Sequence, residues 1–451
     1  MEECAEGINS SSSAELPTVQ SRSIDQIGLS MDEKMESAES TEDQWLPEGE
    51  GINEEDVLEV IELNKDDNMT MLEEDDVEED HDAMITEEDD NQGGLDDSII
   101  RFSRHSQPVF CIATHPCSTK ICASGGADDL GYIWDISTGQ ELLQLSGHSD
   151  SLSSIEFSHD GHFLATGGVD GKVKIWQNSD QENFLNWQFL LDLEASDEVT
   201  WLSWHPKGLV LLAGCFDGMI YMWQIPSGAT MHVFAGHDSM TTCGTFTPDG
   251  KTIVSGSESS VLIIWDPKSG VPRHKINLNE GKYSFKMDEE QSGINSLVIN
   301  EASTICVVGG ISNGGVRLLN LQTGMVIGGF DEHENTATIE VGIYEATGLG
   351  VTFLVSGGTD GLACIYDAST LKPRASVRHE GAITSLAINK ELGKLTTGSL
   401  DKTIVTWDLR TGQREKMLCG HEDIIHMVKL TQDLRFLISC SDDGNVLVYE
   451  V

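Results

Sequence analysis

The strongest constraint on this chain is a short pattern that recurs along it eight times. Ala-Ser-Gly-Gly-Ala-Asp128 runs on to Tyr132-Ile133-Trp134-Asp135, and Ala-Thr-Gly-Gly-Val-Asp170 to Lys174-Ile175-Trp176. Thr-Thr-Gly-Ser-Leu-Asp401 runs on to Val405-Thr406-Trp407-Asp408. In each an Asp stands six residues before a closing aromatic. The same frame returns at Asp217/Trp223, Asp360/Tyr366 and Asp443/Tyr449, returns without the Asp at Ser259/Trp265, and is weakest at Asn313/Leu319. The closing positions are therefore 134, 176, 223, 265, 319, 366, 407 and 449, with steps of 41 to 54 residues. A period of that length means one supersecondary unit used over and over, each copy burying its apolar face against the next.

Within a unit, short β-rich runs alternate with turn residues. Val109–Thr114, Leu152–Ser158, Val199–Trp204, Ile294–Ile299 and Ile383–Ile388 read as first strands. Turn chemistry follows, as in His205-Pro206-Lys207-Gly208 and Thr247-Pro248-Asp249-Gly250. The frame supplies the next two strands. After a turn such as Ser137-Thr138-Gly139 or Arg410-Thr411-Gly412, a fourth strand leads to Gly147-His148, Gly236-His237 or Gly420-His421. Four antiparallel strands per unit make a propeller blade, so the expected fold is all-β: an eight-bladed β-propeller, with seven blades as the alternative. The last unit stops at its third strand, 446–451. The stray run Ser98-Ile99-Ile100-Arg101-Phe102-Ser103 has the length to supply the missing fourth, so strand 98–104 is expected to pair with 446–451 and close the ring.

Ahead of that domain, 98–451, lies a different kind of sequence. Residues 1–97 hold 34 Asp and Glu against three basic residues, Arg22, Lys34 and Lys65, a formal charge of −31. The whole chain stands at −49. Such a segment has too little apolar surface to offset the entropy of ordering, so 1–97 is expected to be a disordered acidic tail. Its Val57–Leu63 stretch, where apolar and acidic residues interleave, is a candidate docking motif. This charge balance argues against direct binding of nucleic acid or of an anionic membrane, and for a basic protein partner. No leader or apolar run of spanning length is seen, so no membrane insertion is expected, and a monomer in the cytoplasm or also the nucleus is. The ten cysteines are scattered without a CxxC pair, which predicts reduced thiols with no metal and no cofactor.

Histidine, hydroxyl and carboxylate recur together: His105, Ser124, Asp128 with Trp134; His148, Thr166, Asp170 with Trp176; His379, Thr397, Asp401 with Trp407. They are the ingredients of a nucleophilic triad. An active site is needed once, however, and a structural device in every blade. The reading is a buried relay in which Asp holds His, His accepts from the hydroxyl, and the hydroxyl accepts from the indole N–H. Asp217, Trp223, His237, Trp265, Asp360, Tyr366, His421, Ser439, Asp443 and Tyr449 fall on the same frame. Where the aromatic is Tyr366 or Tyr449, the O–H is expected not to reproduce the indole geometry. No unique acid–base pair remains, so no enzyme is expected.

The Gly-His, Asp and Trp-Asp frame over 98–451 resembles the WD40 repeat family, which implies a toroidal platform for binding proteins. The third unit departs from it, with Glu194-Ala195-Ser196-Asp197 in place of Gly-His. The fifth keeps little beyond Gly309, Asn313 and Leu319, and an insertion over 275–292 precedes it. Trp201-Leu202-Ser203-Trp204-His205-Pro206 and Val173-Lys174-Ile175-Trp176-Gln177 further resemble the group that includes angio-associated migratory cell protein. That group contains a dedicated chaperone for one large-subunit ribosomal protein.

The resemblance puts the loops after Gly-His and at the tight turns on one face. There the chain carries Asp150, Asp197, Glu198, Asp238, Glu334, Glu380, Glu422 and Asp423, with Asp129, Glu258 and Asp442 beside the turn Asp positions. Phe216 is a candidate apolar anchor among them. The expectation is a chaperone or assembly factor that captures a basic ribosomal protein. The alternative is a cytoplasmic signalling scaffold acting in cell migration, and for the carboxylates themselves a merely solvated loop.

Overall fold

The computed structural model describes residues 96–180, 183–285, 293–346 and 351–451. The acidic segment and its Val57–Leu63 motif lie outside the described residues, apart from Asp96 and Asp97. These two are already tied to the folded domain: Asp97 N–H donates to Cys419 O and Asp97 Oδ2 accepts from Cys419 N–H, while Asp96 pairs with Arg101 at 3.0 Å.

Eight four-stranded antiparallel sheets follow one another. Their inner strands are Val109–Thr114, Leu152–Phe157, Val199–Trp204, Thr241–Phe246, Gly293–Ile299, Ile339–Ala346, Ile383–Asn389 and Ile425–Leu430, which number the blades one to eight. Each inner strand contacts the next, and the eighth returns to the first, so the circuit is closed. Closure falls where the strand count requires it. Ile100–Phe102 lies antiparallel to Val446–Glu450, with Ile100 opposite Val448 and Phe102 opposite Val446. Blade eight is therefore built from both ends of the domain. Phe102, 1% exposed, stacks on Trp134 of blade one at 4.7 Å and carries the seam apolar.

The core lies between blades. Ile121 and Ile133 of blade one pack with Leu152, Ile155, Leu164 and Trp176 of blade two, and the same arrangement repeats around the ring. Each such side chain contributes about 1.5–3 kcal/mol by leaving water, which no isolated blade could gain. The stretch 275–277, read as part of an insertion, completes the outer strand Pro272–Asn277 of blade four. Leu278 and Phe285 beyond it are buried. The nine described cysteines are unpaired, and no described group of His, Cys, Asp and Glu could hold a metal ion.

Candidate functional site

The repeated His–hydroxyl–Asp set is a buried staple. In blade seven His379 Nδ1 lies 2.9 Å from Asp401, His379 Nε2 2.5 Å from Thr397 Oγ1, and Trp407 Nε1–H donates to Thr397 at 2.9 Å. Blade two repeats this with His148, Asp170, Thr166 and Trp176. The second glycine of the Gly-Gly pair makes room: a Cβ on Gly168 would stand 2.6 Å from His148 Nδ1. The Asp also caps the following loop, as when Asp443 accepts from Glu422 N–H. Burial raises the Asp443 pKa, but the His421 bond and two backbone N–H groups outweigh it and hold the carboxyl down at about 2. Thr166, Thr397, Ser124 and Ser439 are fully buried, so no substrate reaches these hydroxyls.

The structure corrects the relay in several blades. Trp134 Nε1 is buried with no partner, so blade one stops at the His105–Ser124 bond of 2.9 Å. Ser356 Oγ donates to the Tyr366 hydroxyl oxygen at 3.3 Å, the reverse of the indole bond, and Tyr449 is buried at the same place in blade eight. His333, with Asp360 at 3.1 Å and Ser356 at 2.7 Å, is the blade-six histidine that the frame missed, because it lies 27 residues before its Asp. Ser255, bonded to both His237 and Trp265, was missed as well. His237 has no Asp, its Nδ1 is unpartnered, and burial drives its pKa down to about 4. In blade three Ala195 takes the His position, Ser196 bonds Asp217 at 2.5 Å as Ser149 bonds Asp170 in blade two, and Ala213 takes the hydroxyl position beside buried Trp223.

All twelve proposed contact residues lie at one end of the ring, where the inner strands begin. Phe216 N–H, Glu258 N–H and Asp442 N–H each donate to a carbonyl just before or at the start of an inner strand, those of Glu198, Met240 and Ile424. Glu334, Glu380 and Glu422 give their N–H to the relay carboxylates Asp360, Asp401 and Asp443. Asp150, Glu198, Asp238, Glu258, Glu334, Glu380, Glu422 and Asp423 are exposed, and Asp129, Asp197 and Asp442 partly so. Phe216 is 51% exposed. Some cations reach the same end: Lys275 pairs with Asp238 at 3.3 Å, and Lys402 donates to Glu422 O. Further down, inner strands of blades eight, one, two and three line an open cavity of about 350 Å³ bordered by Ile112, Glu156, Met427 and Lys429. Burial pushes Glu156 up to about 8 and Glu340 up to about 7, and Lys429 opposes both shifts.

An eight-bladed propeller with this relay and a loop-built face defines a class of protein-binding platforms, and comparison agrees. Residues 97–135, 139–177, 187–224, 228–266, 371–408 and 412–450 match the WD40 family, described as "WD domain, G-beta repeat". The chain belongs to the WD40 repeat family. Among its relatives, human angio-associated migratory cell protein is 32% identical over 370 residues, 79% of this chain and 80% of that protein. The ribosome assembly protein Sqt1 of Saccharomyces cerevisiae is 24% identical over 405 residues, 83% of this chain and 92% of its own. The crystal structure of Chaetomium thermophilum Sqt1 bound to the N-terminus of the ribosomal protein L10 superposes with a TM-score of 0.72. It is 22% identical and covers 79% of this chain and all of that one. The stretch outside the family match includes blade five, where the relay is lost.

Proposed function

We propose that this propeller captures a basic protein segment on its carboxylate-bearing end and serves as an assembly chaperone for a basic ribosomal protein. The observation that carries the reading is the gathering of twelve side chains, eleven of them carboxylates, at one mouth of a rigid ring. Like charges held together by a frame repel and focus potential outward, so they favour a cationic ligand over a neutral one. The Sqt1 relatives, one named as a ribosome assembly protein and one solved with the N-terminus of a ribosomal protein bound, support the choice of cargo. Greater identity to angio-associated migratory cell protein supports the second reading, a signalling scaffold. Titration calorimetry of the full chain with a synthetic L10 N-terminal peptide separates them. The expected result is submicromolar binding that weakens steeply between 50 and 300 mM salt, about tenfold or more, and is lost when Glu380, Glu422, Asp423 and Asp442 all become Lys. Binding unchanged by that reversal, or no binding by the unaltered chain, overturns the capture reading.

A further inference from the structure

A second repeated device lines the channel mouth, and the places where it is abandoned point to a ligand. The inner strand is bulged after its first rung, or after its second in blade five, in seven of the eight blades, blade six being the exception. The extra residue of a bulge escapes the ladder and can turn its side chain elsewhere. In four blades that residue is Ser or Thr, and its hydroxyl donates across the gap to a carbonyl in the next inner strand. Thr200 reaches Thr241 O at 2.6 Å, Thr242 reaches Ile294 O at 2.5 Å, Thr384 reaches Ile425 O at 2.5 Å, and Ser153 bonds Val199 O. In blade five Asn295 does the same to Ile339 O at 3.1 Å. These bonds stitch neighbouring blades together at the mouth.

Blades eight and one, which are neighbours across the seam, carry His426 and Phe110 at this position instead. Neither side chain donates a hydrogen bond to a carbonyl of the next inner strand; the two meet each other across the gap instead. His426 Nε2 lies 2.6 Å from Asp442 Oδ1, and the Phe110 ring meets the imidazole edge-on at 5.3 Å and 77°. Phe110 is 36% exposed, so the exchange of a stitching hydroxyl for a phenyl ring is not repaid by burial. Asp442 is held from behind by its N–H on Ile424 O, and Ser441 Oγ ties the same turn to Asp423 O. The result is an aromatic face, a carboxylate of fixed direction with one oxygen engaged by the imidazole, and further carboxylates around them.

We infer that Phe110, His426 and Asp442 form a subsite for one guanidinium side chain of the basic partner. A guanidinium is planar and weakly hydrated, stacks on a phenyl face and donates in plane to a carboxylate, whereas an ammonium is a compact, strongly hydrated point charge. His426 is a positioning residue that aims Asp442. The proposal rests on the capture reading above but asks more of it: charge alone would treat arginine and lysine alike.

The test uses the full chain with two probes of equal charge, hexa-arginine and hexa-lysine, at 150 mM salt. The expected result is binding of both, with hexa-arginine about tenfold tighter. That preference disappears in Phe110→Ala and in Phe110→Leu, which stays apolar but has no π face, and hexa-lysine affinity barely changes. Thr200→Val, which removes a stitch elsewhere on the ring, keeps the preference and controls for loosened blades. Equal affinity of the two probes for the unaltered chain, or a preference that survives Phe110→Leu, overturns the subsite and leaves capture standing. Binding of neither probe overturns both.

Discussion

Blades seven and five have the same four strands and reach them by opposite chemistry. Blade seven has the whole staple, with His379, Thr397, Asp401 and Trp407 joined by bonds of 2.5 to 2.9 Å. Blade five has Gly309, Asn313 and Leu319 at the corresponding places. Its third strand instead buries Arg317, which is 1% exposed. That guanidinium donates to Tyr283 O at 2.7 Å, Ser284 O at 2.8 Å and Phe330 O at 3.1 Å, pairs with Asp331 at 2.8 Å and lies over the Phe285 ring at 4.8 Å. It also donates to Val316 O at 2.9 Å, so two of its four carbonyls, and the ring, come from the segment that reads as an insertion. The lesson is that blade geometry comes from strand pairing and interblade burial, while the polar centre can be solved in more than one way, and blades one and four each leave a buried nitrogen unpartnered.

Removing the solution should therefore cost more where it is a charge than where it is a hydroxyl. Arg317→Ala leaves a cavity, several bare carbonyls and Asp331 without its guanidinium, so a loss of about 3–5 kcal/mol is expected in urea unfolding. Arg317→Lys should recover little of it, because one ammonium cannot span the same acceptors. Full recovery by Lys would show that only the charge matters. In blade seven, Thr397→Val keeps the shape but strips the shared partner from His379 and Trp407, and about 1–3 kcal/mol is expected. A loss as large as that of Arg317→Ala would remove the contrast between the blades.

The smallest effect is a gain. Ser259→Asp in blade four gives His237 the partner its Nδ1 lacks, and about 1 kcal/mol of added stability is expected at pH 7. His237 stands at about 4 because burial disfavours its charge. Below about pH 6.5 the unfolded chain takes up a proton that the folded chain refuses, so this part of the stability is present above about 6.5 and lost as pH falls towards 4. The new carboxylate raises the folded pKa, so the advantage of the variant should widen between about pH 6.5 and 5. Imidazole NMR titration and urea midpoints at the two pH values check this. A His237 titration unmoved by the substitution would mean that the introduced carboxylate does not reach the ring.

How much of this was legible beforehand differs by residue. Asp170 to Trp176 is a local spacing, so the turn and third strand could be read directly, as could the inner strands Val109–Thr114 and Val199–Trp204. His333 escaped because it lies 27 residues before its Asp, where the other relay histidines with an Asp lie 22 or 23 before theirs. Ser153, Thr200, Thr242 and Thr384 could have been found as a hydroxyl recurring at the second place of four inner strands. Their acceptors could not, since a bulge is invisible to a period of two.

By itself the sequence pointed to eight blades over seven, to the order of strands and to a seam between 98–104 and 446–451, because all three follow from counting a repeat whose units cannot bury their faces alone. Only the tertiary structure decided which polar atoms meet. Arg317 finds carbonyls some 33 residues away, and Phe110 meets a histidine 316 positions along the chain. Those meetings depend on packing between blades at ångström distances, and a one-dimensional pattern carries no information about which side chain crosses the gap.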